Sequence, residues 1–159
     1  MIETQISAEG SAELYRELAQ ALAGITLGEE DEIANMANAA ALIWEHLPDI
    51  NWVGFYRAVH GELVLGPFQG RVACVRIPFG KGVCGTAVAR QETLVVKDVH
   101  AFPGHIACDA ASRSEIVVPI IRDGRVTGVL DIDSPVEGRF GDDDREGCEA
   151  LAAILARAD

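Results

Sequence analysis

At Pro48 the hydrophobic pattern of the chain changes its period. Before it, Leu14, Leu18, Leu22 and Ile25 recur at spacings of three and four, and Gly28 stops the run. Ile33, Met36, Ala37, Ala40, Ile43, Trp44 and Leu47 form a second stripe of the same kind. Two amphipathic helices are expected there. Beyond Pro48, residues 51–59 alternate and are rich in β-branched and aromatic side chains. His60-Gly61 turns that run into 62–68, and Gln69-Gly70 is expected to turn it again into 71–77, a three-stranded meander. A short helix over 82–90 and a short strand over 93–96 follow. Residues 98–114 fit neither period and read as a long loop, a length often tied to function. Strands at 115–122 and 125–133 flank the tight-turn pair Asp123-Gly124, and a helix over 142–157 closes the chain. Antiparallel neighbours with helices at both chain ends predict an α+β layer, with terminal helices on one face of a mostly antiparallel sheet. No repeat or linker interrupts it, so residues 1–159 are expected to form one domain.

A chain of 159 residues, 49% hydrophobic and 24% charged, can bury roughly 70% of its unfolded surface and needs no disulfide or metal staple. The formal charge of −12 disfavours phosphate backbones and anionic headgroups, so neither nucleic acid nor membrane is an expected partner. The first residues carry no basic start followed by an apolar core, and no apolar run approaches the roughly 18 residues of a membrane span. A cytoplasmic location is the expectation. Four cysteines in a reducing compartment are then buried small hydrophobes or working thiols rather than a permanent framework.

Candidate chemistry gathers beyond Pro48. Asp131 and Asp133 alternate on a strand, so both carboxylates share one face. They mark either the wet face of an edge strand or a site that wants negative charge or a held proton. Glu115 opens the strand after the long loop and matters only if that end meets the Asp131 face. Trp52 and Tyr56, with Gly54 between them, share a face and could leave a flat-sided slot, although ordinary core is the commoner role of aromatics. Cys148 is in phase with Leu151 and Leu155 and reads as core. Cys84, near the start of a short helix, sits where free N–H groups favour a thiolate. Cys108 lies in the long loop beside His105, and Cys74 is expected in a strand on the same face as Arg76. No C-x-x-C pair or histidine spacing matches a metal site, and the signatures of a P-loop, a dinucleotide fold and a serine triad are absent.

Several runs give this pattern a name: NWVGFY at 51–56, LVLGPFQG at 63–70, CVRIPFGKGVCGTA at 74–87, VVKDVHAFPGHIACDAASRSEIVVPI at 95–120 and GVLDIDSP at 128–135. In this order they resemble the free methionine-(R)-sulfoxide reductases, a family of small GAF-domain enzymes. The resemblance implies a GAF-like α+β domain with a sheet of about six strands. It implies Cys108 as catalytic nucleophile, Cys84 and Cys74 as resolving cysteines, and Glu115, Asp131 and Asp133 around the sulfoxide oxygen and substrate amine. Trp52 and Tyr56 would enclose the methionine side chain. The implied substrate is free L-methionine (R)-sulfoxide and the implied reductant thioredoxin, with no bound cofactor or metal; a homodimer is also possible on sequence grounds. A ligand-binding GAF sensor and a cysteine-based peroxide reductase are the rival readings. Which of Cys74 and Cys84 closes the disulfide, and which carboxylate gives the proton, stay open.

Overall fold

A computed structural model describes residues 2–4, 6, 11–106 and 111–157. Helices α1 (Ser11–Thr26) and α2 (Glu32–His46) come first. Strands β1 (Trp52–Val59), β2 (Glu62–Gly70) and β3 (Arg76–Pro78) lead into α3 (Gly82–Arg90). Then come β4 (Leu94–Val96), β5 (Ser114–Arg122), β6 (Arg125–Ser134) and α4 (Asp142–Arg157). The strands form one sheet in the order β3-β2-β1-β6-β5-β4, and every pairing is antiparallel. This is the expected α+β layer.

Each face of the sheet has its own core. On one, Leu14, Leu18 and Leu22 of α1, Met36 and Ile43 of α2 and Leu151 and Leu155 of α4 pack on Val53, Phe55, Ile116, Leu130 and Ile132. Most are the side chains that the helical and strand periods pick out, but the buried face of α2 is rotated from the expected stripe: Ile33, Ala37 and Trp44 are exposed, and Asn35, Ala39 and Leu42 are buried with Met36 and Ile43. Each large apolar side chain of this core contributes roughly 1.5–3 kcal/mol by leaving water. Asp31 caps α2 by accepting from the Ala34 N–H at 2.9 Å. At α4 the bond runs the other way: Asp144, in the first turn, reaches back and accepts from the Gly141 N–H at 2.8 Å.

Among the described residues, the opposite face carries one α-helix, with Val99 of a short 3-10 turn (Val99–Ala101) in the same core. Since β3 and β4 lie at opposite edges, the connection between them must cross the sheet, and α3 is that connection. Its Val83, Cys84, Ala87 and Val88 pack over Trp52, Tyr56, Val117 and Val129. This crossing sets Cys84 above the middle of the sheet.

The turn pairs behave as their sequences predict. His60 and Gly61 have φ of 51° and 81°, and Asp123 and Gly124 have 52° and 76°, the two left-handed positions of a type I′ hairpin. Gln69-Gly70 does not turn the chain. Strand β2 runs through Gly70, and residues 71–75 form an irregular segment before a β3 of three residues. Cys74 therefore lies in this segment rather than in a strand beside Arg76. Gly70 answers a different need: at φ 129°, a Cβ there would stand 2.6 Å from Cδ1 of Trp52.

Candidate active site

Two central strands bring the singled-out carboxylates together, and β1 lies beside them. Glu115 on β5 is the direct cross-strand partner of Asp133 on β6, while Asp131 stands opposite Val117 on β5 and Gly54 on β1. All three share a face with Trp52 and Tyr56, because their positions on each strand keep the same parity. Strand β6 lies inside the sheet, so the edge-strand reading of Asp131 and Asp133 is overturned. Asp131 is 5% exposed and Glu115 is 7% exposed; Asp133 is half-buried. Cys84 comes down from α3 with its Sγ 4.0 Å from Oε2 of Glu115.

These groups share a cavity of about 560 Å³, counted to its mouth. Its lining holds four potential negative charges, and no lysine or arginine among the described residues faces them. Burial is the first reason the Glu115 carboxyl is pushed well above its ordinary range, and the charges of Asp131 and Asp133 push it further. Burial also raises Asp131, although hydrogen bonds from Glu115 and Cys84 oppose the rise. A carboxyl kept protonated in this way can donate to a weakly basic oxygen. Oδ1 of Asp131 is buried without a hydrogen-bond partner.

Cys84 departs from expectation. Burial raises its thiol well above the usual value, and Asp131, Glu115 and Asp133 raise it further. The free N–H groups at the start of α3 do not overcome three facing carboxylates, so the thiolate is disfavoured.

The aromatic wall also differs in detail from the slot expected. The rings of Trp52 and Tyr56 stand 6.0 Å apart and Trp52 stacks on Phe68 at 5.3 Å, too close to admit a group between them. The open space lies beside the stack, above the carboxylates. The indole lies flat because Gly54 and Gly70 beneath it have no side chains; a Cβ on Gly54 would meet its Cη2 at 2.6 Å. Both aromatics also have polar duties. The Trp52 Nε1–H donates to the Arg71 carbonyl and the Tyr56 hydroxyl to the Cys74 carbonyl, each at 3.0 Å. They thus pin the segment that carries Cys74.

The cysteines divide clearly. Cys148 is a fully buried free thiol in the helical core, raised to about 12 mainly by burial, in line with its expected core role. Cys84 is free, whereas Cys74 is disulfide-bonded. The expectations for Cys108 fall outside the described residues. Sequence reasoning missed several lining groups: Val72, Ala73, Ile77, Val83, Ile106 and Ser112. Ser112 is buried and accepts from the Asn51 side-chain N–H at 3.3 Å. Nothing in the serine's sequence context marks it, because its partner lies 61 residues away.

The GAF domain model matches residues 17–158, so the chain is a GAF domain. The chain is 54% identical over 145 residues to the free methionine-R-sulfoxide reductase of Escherichia coli, covering 91% of this chain and 88% of that protein. It is 46% identical to the protein of the same name from Saccharomyces cerevisiae, covering 92% and 86% respectively. The X-ray structure of free methionine-R-sulfoxide reductase from Neisseria meningitidis, in complex with its substrate, superposes with a TM-score of 0.96 at 48% identity, over 99% of this chain and 95% of that one. The chain belongs to the free methionine-R-sulfoxide reductase family, a family of oxidoreductases.

Proposed function

We propose that this chain reduces free L-methionine (R)-sulfoxide to L-methionine in the cytoplasm, as repair of oxidative damage. The observation that carries the reading is the meeting of Glu115, Asp131 and Asp133 beneath an aromatic wall. A sulfoxide sulfur is attacked readily only when its oxygen is protonated or strongly hydrogen-bonded. A carboxyl held neutral by burial and by its neighbours supplies that proton. The remaining carboxylates hold the ammonium of the free amino acid, and Trp52 and Tyr56 flank its methyl end.

The Cys108 thiolate attacks the sulfoxide sulfur, and the oxygen passes to the cysteine. The substrate sulfur gains two electrons and leaves as methionine, and Cys108 becomes a sulfenic acid. A second thiol displaces the hydroxyl as water and closes a disulfide, which thioredoxin reduces by exchange. Two facts favour Cys74 over Cys84 as that second thiol. Cys74 is disulfide-bonded and half-buried, whereas Cys84 is free, enclosed and held protonated by its surroundings.

The test is NADPH consumption coupled through thioredoxin, with each free epimer and with a sulfoxide-containing peptide as substrates. The free R epimer should turn over, and the free S epimer and the peptide should not. No turnover of the free R epimer ends this reading.

A further inference from the structure

Sequence spacing argues against a metal site, yet folding assembles one set of ligand atoms that spacing does not reveal. Among the described residues, Cys84, Glu115 and Asp131 each offer a ligand atom within 4.8 Å of the others, and all three are buried. Two of these residues come from neighbouring strands and the third from the helix that crosses them. Around a tetrahedral zinc ion, one sulfur and two carboxylate oxygens stand roughly 3.3–3.8 Å apart, at bond lengths of about 2.0–2.3 Å. Small side-chain rotations close that gap.

Two further observations point to a cation. Asp131 lines the cavity, and its Oδ1 is buried without a hydrogen-bond partner, which leaves an acceptor that a cation can satisfy. No lysine or arginine among the described lining residues neutralises the cluster. The thiol narrows the class. A sulfur with two carboxylate oxygens suits a borderline cation such as Zn²⁺ and is a poor site for Mg²⁺, which takes oxygen and water.

We propose that Cys84, Glu115 and Asp131 bind one borderline divalent cation of the Zn²⁺ class, leaving a fourth position open to the cavity. In that state the cation holds the carboxylates that the proposed activity gives to the substrate ammonium and oxygen, so it competes with substrate. The competition rests on the proposed activity; the binding does not.

The full chain, reduced and freed of metal with a chelator, is titrated with Co²⁺ as an optical stand-in for Zn²⁺. The expected result is one Co²⁺ per chain, with a thiolate-to-cobalt charge-transfer band that Zn²⁺ displaces and excess Mg²⁺ does not. Cys84→Ser should remove the band, and Asp131→Asn should weaken binding by about tenfold or more. A Cys74→Ser/Cys108→Ser double variant should keep both. If Cys84→Ser does not fold, Asp131→Asn and Glu115→Gln carry the test. A band that survives in folded Cys84→Ser, or that disappears in the double variant, overturns the proposal, as does the absence of stoichiometric binding. Because no turnover is measured, a chain inactive on methionine sulfoxide can still pass, and an active one can still fail.

Discussion

Glu115 faces Asp131, Asp133 and Cys84 across a buried floor, with the Tyr56 ring in the wall beside them. Its folded-state carboxyl titrates above the ordinary range, so above that range the folded chain holds a proton that the unfolded chain has released. The sign follows from linkage: the contribution of Glu115 to stability is full below the ordinary carboxylate range and is lost as pH rises through the folded value. Glu115→Gln keeps the shape and removes the ionisation. It should raise the neutral-pH melting temperature and flatten the fall in stability above the ordinary carboxylate range, read by calorimetry over a pH series. If Glu115 is the proton donor, the same variant loses roughly a hundredfold or more in the sulfoxide step. Cys84→Ser should leave the first-turnover release of methionine intact, because its thiol is held protonated. At this scale the sequence was legible where one strand decides the outcome. Asp131 and Asp133 share a face by parity alone. The state of Cys84 was not legible, since the groups that raise its thiol come from two other elements.

The element that organises the site is β1. Its Trp52 and Tyr56 wall the cavity and, through their polar atoms, hold residues 71–75. The same bonds explain why ACVRI at 73–77, which alternates like a strand, forms only a short one. Two of the segment's carbonyls are taken by aromatic donors rather than by a ladder. A single-sequence pattern carries no trace of that competition. By contrast, the hairpins at His60-Gly61 and Asp123-Gly124 were readable, because turn chemistry is local. Tyr56→Phe removes one hydrogen bond to the Cys74 carbonyl, a loss of about 1 kcal/mol. It should slow disulfide closure, followed by thiol titration after one turnover, more than it slows methionine release. Gly54→Ala should be more damaging, since its Cβ meets the indole at 2.6 Å and the backbone of Phe68 lies close behind. Loss of substrate binding with a retained fold is the expected outcome, measured by calorimetric titration.

The whole molecule separates support from chemistry, with three helices and the larger core on one face and α3 with the site on the other. Gly147 of α4 tests the separation. A Cβ there would overlap the Tyr15 ring of α1, which is itself held by a 2.8 Å hydrogen bond to Asp144. Gly147→Ala gains about 1 kcal/mol in helix propensity but overpacks a buried contact, which costs about 1–3 kcal/mol. A net loss on the order of 1 kcal/mol in urea unfolding is expected, with activity per folded molecule unchanged. The terminal helices and the long strands β1, β2, β5 and β6 were legible from period, because each helix presents an apolar stripe to the sheet and each long strand is bounded by turn signals. The cavity was not, since it exists only where α3 crosses from edge to edge. Whether the cavity prepares a free sulfoxide for attack by a cysteine of the same chain, as proposed, is tested by one measurement without any auxiliary enzyme. Pre-reduced protein, mixed with excess free L-methionine (R)-sulfoxide and no external reductant, should release about one methionine per chain as its own thiols are consumed. Release of no methionine by the wild type, or undiminished release by Cys108→Ser, would contradict the account.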